Sequence, residues 1–279
     1  MNRTSIEWVK NPDGTQGYTW NPITGCLNGC PYCYARKLAN GRLKSLYLSN
    51  RNLAPFQFMD ENTLVRLDSL EVRRDPFYPR FWAERIPAKY WISTQGVGLG
   101  INVKGKGIFV CDMGELFGDW IPYEWQVEIF RVIKGNPDCR FYLLTKQPQN
   151  LIKFSPFPDN CWVGVTVTNV GMMADAITNL AVVKAKVKYM SFEPLLGSVM
   201  PEGLINFLDW VIIGGQTNPE KPPKLEWVEE IVKVADGAGI KVFLKNNLWP
   251  LFNGSHYTVP LWAFDAESKF RQEMGNNGK

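Results

Sequence analysis

Three cysteines crowd into the stretch TGCLNGCPYCYA, where Cys26, Cys30 and Cys33 stand at i, i+4 and i+7. Gly29 and Pro31 keep the intervening backbone in a tight loop, so the three sulfurs can reach one inorganic centre. Thiolates are the usual ligands of iron–sulfur clusters, and three of them around a four-iron cubane leave one iron open. Structural zinc is the competing chemistry, since it also takes clustered thiolates, but it ordinarily wants four protein ligands in pairs such as C-x2-C. The only histidine, His256, lies far along the chain. Cys111, Cys139 and Cys161 are separated singletons at strand positions, the pattern of small buried hydrophobes, although zinc could recruit one of them across space.

A loop that presents thiols must hang from rigid elements. From residue 107 onward, short β-branched or aromatic runs alternate with helical patterns, the sign of successive βα units around a parallel sheet. Strands are expected at 107–113, 139–145, 161–167, 188–193, 210–215 and 241–245, with one more near 17–23 ahead of the cysteines. Helices are expected near 123–134, 147–153, 171–181, 202–208 and 225–238. About seven strands of this kind fit a partial or near-complete (β/α) barrel, an α/β fold whose polar chemistry gathers at the C-terminal strand ends. Each expected strand does end in such groups: the cysteine loop, Asp112 to Glu115, Lys146, Thr166 to Asn169, Glu193, Gly214 to Thr217, and Lys245. Glu193 should point into the barrel mouth, and Gly214 and Gly215 would allow a ligand close approach to the backbone.

The C-x3-C-x2-C spacing, with Tyr32 just before the last cysteine, resembles the signature of the radical S-adenosylmethionine (SAM) superfamily. The blocks IEW, YTWNPITGCLNGCPYCYA, IFVCDMGELF, FYLLTKQP, WVGVTVTN, SFEPLLG and DWVIIGGQ run in order from residue 6 to about 216, followed by KVFLKNN near 241. Together they resemble the phage-associated radical SAM proteins, a family of unknown function. Among characterised relatives the pattern is similar to spore photoproduct lyase. The resemblance implies a radical SAM barrel with a [4Fe-4S] cluster on Cys26, Cys30 and Cys33. It implies SAM on the open iron, reductive cleavage of its sulfonium, and hydrogen abstraction from a substrate. It further implies that Lys146 pairs with the SAM carboxylate and that Asp112, Met113, Gly114 and Glu115 approach its amino and ribose groups. Thr166 would add a hydrogen bond, Tyr32 would lie near the adenine, and Glu193, Gly214 and Gly215 complete the implied SAM-binding set. A reductant such as flavodoxin or ferredoxin would supply the electron. Relatives often carry a small residue or serine where this chain has Asp112, so that side chain either contacts SAM or supports the loop from behind.

The chain of 279 residues carries a formal charge of +4, yet residues 34–106 hold 13 Lys and Arg against 6 Asp and Glu. Most of that local excess of +7 falls in a segment, 40–106, that interrupts the βα rhythm of a single domain expected over 1–279. Such an insertion is a candidate lid, substrate platform or small subdomain. Its rings, among them Phe77, Tyr78, Phe81, Trp82, Tyr90 and Trp91, are interleaved with cations. They are either a platform for phosphates and stacked bases or the core of a subdomain. The stretch GVGLG is expected to be a flexible turn or hairpin, because no GK[ST] completes a phosphate loop, and EMGNNGK to be a frayed tail. The expected substrate is a nucleotide or nucleic acid, modified or repaired. The alternatives are a peptide substrate, or a zinc-stabilised, non-catalytic nucleic-acid-binding module. No window reaches 18 uninterrupted apolar residues and the start carries no apolar signal core, so a cytoplasmic protein without membrane spans is expected.

Overall fold

The computed structural model describes residues 1–55, 69–86, 103–199, 207–217 and 219–252. Its strands are β1 (Asn2–Arg3), β2 (Tyr18–Trp20), β3 (Ile23–Thr24), β4 (Arg80–Phe81), β5 (Gly107–Val110), β6 (Arg140–Thr145), β7 (Cys161–Thr166), β8 (Val187–Phe192), β9 (Trp210–Ile213), β10 (Gln216–Thr217), β11 (Glu220–Lys221) and β12 (Lys241–Leu244). The α-helices are α1 (Tyr34–Asn40), α2 (Lys44–Ser49), α3 (Ser69–Arg74), α4 (Tyr123–Lys134), α5 (Met173–Val182), α6 (Leu225–Gly237) and α7 (Trp249–Phe252).

The fold is α/β. Eight strands form one sheet in the order β1-β2-β5-β6-β7-β8-β9-β12. Only the β1–β2 pair is antiparallel; the remaining neighbours are parallel. Helices α4, α5 and α6 lie between successive parallel strands, as short βα units require. Helix α6 shows why it packs: Val228, Ile231, Val232 and Ala235 fall on one face and are buried, the spacing of an amphipathic helix laid on a sheet. Strands buried on both faces need continuous apolar runs, and β7 and β9 are buried at every position.

The sheet is strongly curved. Neighbouring strands lie about 4.8 Å apart, so β6 and β9, with two strands between them, would stand about 14 Å apart if flat. Yet the rings of Tyr142 on β6 and Trp210 on β9 are 6.2 Å apart between centroids. Trp8 sits inside the curve, 4.8 Å from Phe109, 5.5 Å from Tyr142, 6.2 Å from Tyr189 and 6.0 Å from Trp210. Gly164 faces Tyr189 in register, and its missing side chain is the space that the Tyr189 ring fills. Among the described residues no ladder joins β12 to β1 or β2. Asn246 N links the two sides by donating to the Glu7 carboxylate at 3.3 and 3.4 Å.

Several expectations are corrected in detail. The strand expected over 107–113 stops at Val110, because Cys111 adopts φ 59° while its N–H still donates to Trp20 O at 2.8 Å. The segment 17–23 divides at Asn21–Pro22, and β3 pairs with β4 instead of entering the large sheet. The helix expected near 147–153 is a 3-10 helix over Pro148–Phe154. In the insertion, Phe77, Tyr78, Phe81 and Trp82 are buried, so these four rings are core and not an exposed stacking platform. Arg80 is also fully buried and donates to the carbonyls of Asn50, Tyr78 and Arg73. Tyr90, Trp91, GVGLG, His256, the tail and most of the helix expected at 202–208 lie outside the described residues. No helix among the described residues is long and apolar enough to cross a membrane.

Two outcomes follow from the ring-filled interior. Trp8→Ala should cost about 3–5 kcal/mol, the range for emptying a buried aromatic site, measured by urea denaturation. Burial holds the phenols of Tyr142 and Tyr189 above their ordinary value, so the unfolded chain ionises first. Stability should therefore fall as pH rises above about 10, and the fall should shrink in Tyr142→Phe.

Candidate functional site

The C-terminal ends of the parallel strands, the cysteine loop and the start of α1 enclose a cavity of about 300 Å³. Trp8, Phe109 and Leu144 supply apolar lining, while Thr166, Ser191, Glu193 and Lys245 add polar groups. The parallel register sets Thr166 opposite Ser191, so adjacent strands deliver their last polar residues at one level.

Cys26, Cys30 and Cys33 all line this cavity. Cys33 caps α1, its sulfur accepting from Arg36 N at 3.3 Å, and Cys26 Sγ accepts from Asn28 N at 3.3 Å. Burial pushes the Cys26 thiol up to about 12, with the nearby Glu115 carboxylate adding to it. Gly25 enters the loop at φ +90°, where a Cβ would lie 2.6 Å from the carbonyl oxygens of both Phe77 and Tyr78; no other residue fits that approach. The guanidinium of Arg36 donates to Cys26 O at 3.1 Å and lies 4.9 Å from the Phe77 ring centroid. The loop is thereby tied to the insertion.

Glu115 is the second tie. Its carboxylate is buried and accepts from Thr145 Oγ1 at 2.7 Å, Phe117 N at 3.1 Å, Lys146 N at 3.1 Å and Asn28 Nδ2 at 3.2 Å. A carboxylate offers about four acceptor sites, so these donors occupy it and leave it little capacity for a ligand. Gln147 Nε2 donates to Asn28 Oδ1 at 2.6 Å, closing a ring of hydrogen bonds between the cysteine loop and the end of β6.

Asp112 supports the loop and also faces the cavity. It lines the cavity, and it braces the loop, accepting from Asn21 Nδ2 at 2.6 Å while Tyr34 Oη donates to its backbone oxygen at 2.7 Å. Burial holds its carboxyl above the ordinary range, against those hydrogen bonds. The Lys146 ammonium lies 5.9 Å from the centroid of the Tyr32 ring and makes no ion pair with a described carboxylate. Burial, with Cys30 beside it, pushes the Tyr32 phenol up to about 12.

Glu193 accepts from Lys245 Nζ on the same cavity wall. Gly214 does not line the cavity: a Cβ there would lie 2.8 Å from Lys245 Cδ, so its role is to leave room for the ion pair. Met113 is likewise buried outside the lining, its carbonyl accepting from Gly25 N at 2.9 Å. Gly114 and Gly215 do line it. The backbone of Gly215 is already engaged by the Asn247 side chain, as donor at 3.2 Å and as acceptor at 2.7 Å. Asn21, Asn28, Arg36, Ser191 and Gln147 escaped sequence reasoning. Asparagine, glutamine and serine carry no motif, and only their position after a strand or inside a thiol loop could have flagged them. Among the described residues, no three His, Cys, Asp or Glu side chains are grouped to hold one metal ion.

A family model described as "Protein of unknown function (DUF5131)" matches residues 3–256. No curated protein and no solved structure matches the chain.

Because the buried Glu115 carboxylate satisfies four donors at once, two of them in fully buried hydrogen bonds, Glu115→Ala should destabilise the chain by about 3 kcal/mol or more, read by urea denaturation. Gln126→Ala, which removes one hydrogen bond to Leu116 O on the neighbouring turn, should cost about 1 kcal/mol and serves as the comparison.

Proposed function

The chain belongs to the DUF5131 family, a membership that names no reaction, and we propose from its cavity that it is a radical SAM enzyme. The observation that carries this reading is that three thiols of one loop and Lys146 line one cavity. The donor set fits the group. Cys26, Cys30 and Cys33 would hold a [4Fe-4S] cluster, and the N–H groups of Asn28 and Arg36 already donate to two of the sulfurs, as in clusters whose potentials are tuned by such bonds. The three ligands of a cubane bind three separate irons, which asks for a wider spacing than the ligands of one ion.

When bound, the cluster and SAM would supply one-electron cleavage of a sulfonium and a radical that abstracts hydrogen from substrate. The chain's own residues bind, orient and exclude water. Lys146 is placed to hold a carboxylate as a point charge, with Tyr32 presenting a ring beside it. Thr166 offers a hydroxyl, and Asp112, braced by Asn21 and Tyr34, offers an acceptor to an amino group. Glu115 positions the cysteine loop. Trp8, Phe109 and Leu144 keep the floor dry, which strengthens the polar contacts above it. A reductant such as flavodoxin or ferredoxin would deliver the electron, and a reducing cytoplasm would suit a cluster held by thiolates. The substrate we favour is a nucleotide or nucleic acid. The buried rings of the insertion move the support for this choice from that segment to its positive charge and to the cavity wall.

A zinc-stabilised binding module is the second reading, favoured by one observation: Cys111 also lines the cavity and is a fourth thiol. Metal analysis separates the two. Anaerobically purified protein should contain iron and acid-labile sulfide, and with SAM and dithionite should release 5′-deoxyadenosine and methionine. Cys30→Ala should abolish that release. Lys146→Met should retain iron while weakening SAM binding about 10-fold or more, or about 1.4 kcal/mol. Zinc without iron or sulfide would overturn the proposal.

A further inference from the structure

We infer that Ser191, Glu193 and Lys245 form a recognition wall for the pairing edge of a substrate nucleobase, where a hydrogen-bond acceptor stands beside a donor. This deepens the reading of the cavity as a substrate-binding radical site and rests on it.

Ser191 lies near the end of β8 and Glu193 in the turn just after it, and both line the cavity. Lys245 follows β12, and the glycine at 214 lets its stem lie against Glu193. The ion pair is half-closed to solvent, with side-chain exposures of 16% for Lys245 and 26% for Glu193. A lone buried charge selects an ion of opposite sign. A pair that has already neutralised itself selects a dipole. The ammonium has three donors and spends one on Glu193, and the carboxylate keeps most of its acceptor sites, so the wall still offers a donor and an acceptor side by side. The matching group is a neutral acceptor and donor on neighbouring atoms, which a nucleobase presents either as the –CO–NH– of a lactam or as the –N=C–NH2 of an amino-substituted ring.

Ser191 supplies the independent observation. It is fully buried, it lines the cavity, and its hydroxyl has no hydrogen-bond partner. Buried hydroxyls are ordinarily paired, so an unpaired one turned to a cavity marks a place for a ligand's polar atom. The apolar lining argues for a flat body behind that polar edge. Trp8 and Phe109 stand 4.8 Å apart with Leu144 nearby, and they present ring and aliphatic surface of the kind that covers a planar base. Amide groups in flexible peptides carry the same edge without a flat body to fill this floor.

The test is equilibrium binding of free nucleosides to the full chain, purified anaerobically with its iron and sulfide assayed in the same samples. Uridine and inosine should bind about 10-fold or more tightly than 3-methyluridine and 1-methylinosine, in which a methyl group replaces the donor hydrogen of that edge. Ser191→Ala and Lys245→Met should each shrink that preference. The inference is overturned if all four bind alike, if none binds to iron-containing protein, or if N-acetyl amino-acid amides bind in their place. Discrimination that persists in protein devoid of iron and sulfide would uphold this wall while removing the cluster reading, and a loaded cluster without discrimination would do the reverse.

Discussion

Trp8 touches rings carried by β5, β6, β8 and β9, and this contact is possible only because the sheet curls around it. Curvature creates an inside, and an inside must be filled, since interior voids forfeit contacts on every side. Large rings fill it here: Tyr142, Trp162, Tyr189, Trp210 and Phe243 join Trp8 in one cluster. The filling stops short of the C-terminal strand ends, where Thr166 and Ser191 replace rings. The cavity is the part of the interior that the aromatic packing leaves open.

The thiols owe their placement to neighbours as much as to their own loop. Gly25 passes between backbone carbonyls, Gly114 meets it in a parallel bridge, and Glu115 spans from Asn28 to the end of β6. A buried carboxylate is costly unless its oxygens are fully engaged, so Glu115 holds its donors in one arrangement. Preorganisation of this kind lets a short loop present three sulfurs without paying for their ordering on binding. The Asp112–Asn21–Tyr34 contacts do the same on the side facing Glu193.

The βα core was largely legible. Strands buried on both faces demand uninterrupted apolar runs, and those runs located β5 to β9 and β12 to within a few residues. Helices α4 and α6 followed from their 3.6-residue period, and their bounds lie within a residue of expectation. The misplacements have local causes. An apolar run continues through Val110 into Cys111, but the chain there must turn toward Gly25, and that demand comes from the cysteine loop far earlier in the chain. Similarly, Phe77, Tyr78, Phe81 and Trp82 carry the same composition whether exposed for stacking or buried as core. Their burial is decided by β3 pairing with β4 and by Arg80 gathering the carbonyls of Tyr78, Arg73 and the distant Asn50.

The candidate site divides along the same line. The sequence by itself determined which chemistry-bearing groups exist, their order along the chain, and that each follows an apolar run, because residue type and local period are properties of neighbouring positions. It also specified three thiols within eight residues, so their proximity needed no folding to be inferred. Only the tertiary structure decided that Glu115 is spent as a strut, that Gly214 makes room for Lys245, that Met113 faces away, and that Ser191 is left with an unpaired hydroxyl in the cavity. Those outcomes depend on which hydrogen-bond partners and which ring surfaces arrive from strands scores of residues apart. A side chain's remaining capacity to bind is what is left after those partners are satisfied, and that remainder is set by three-dimensional packing.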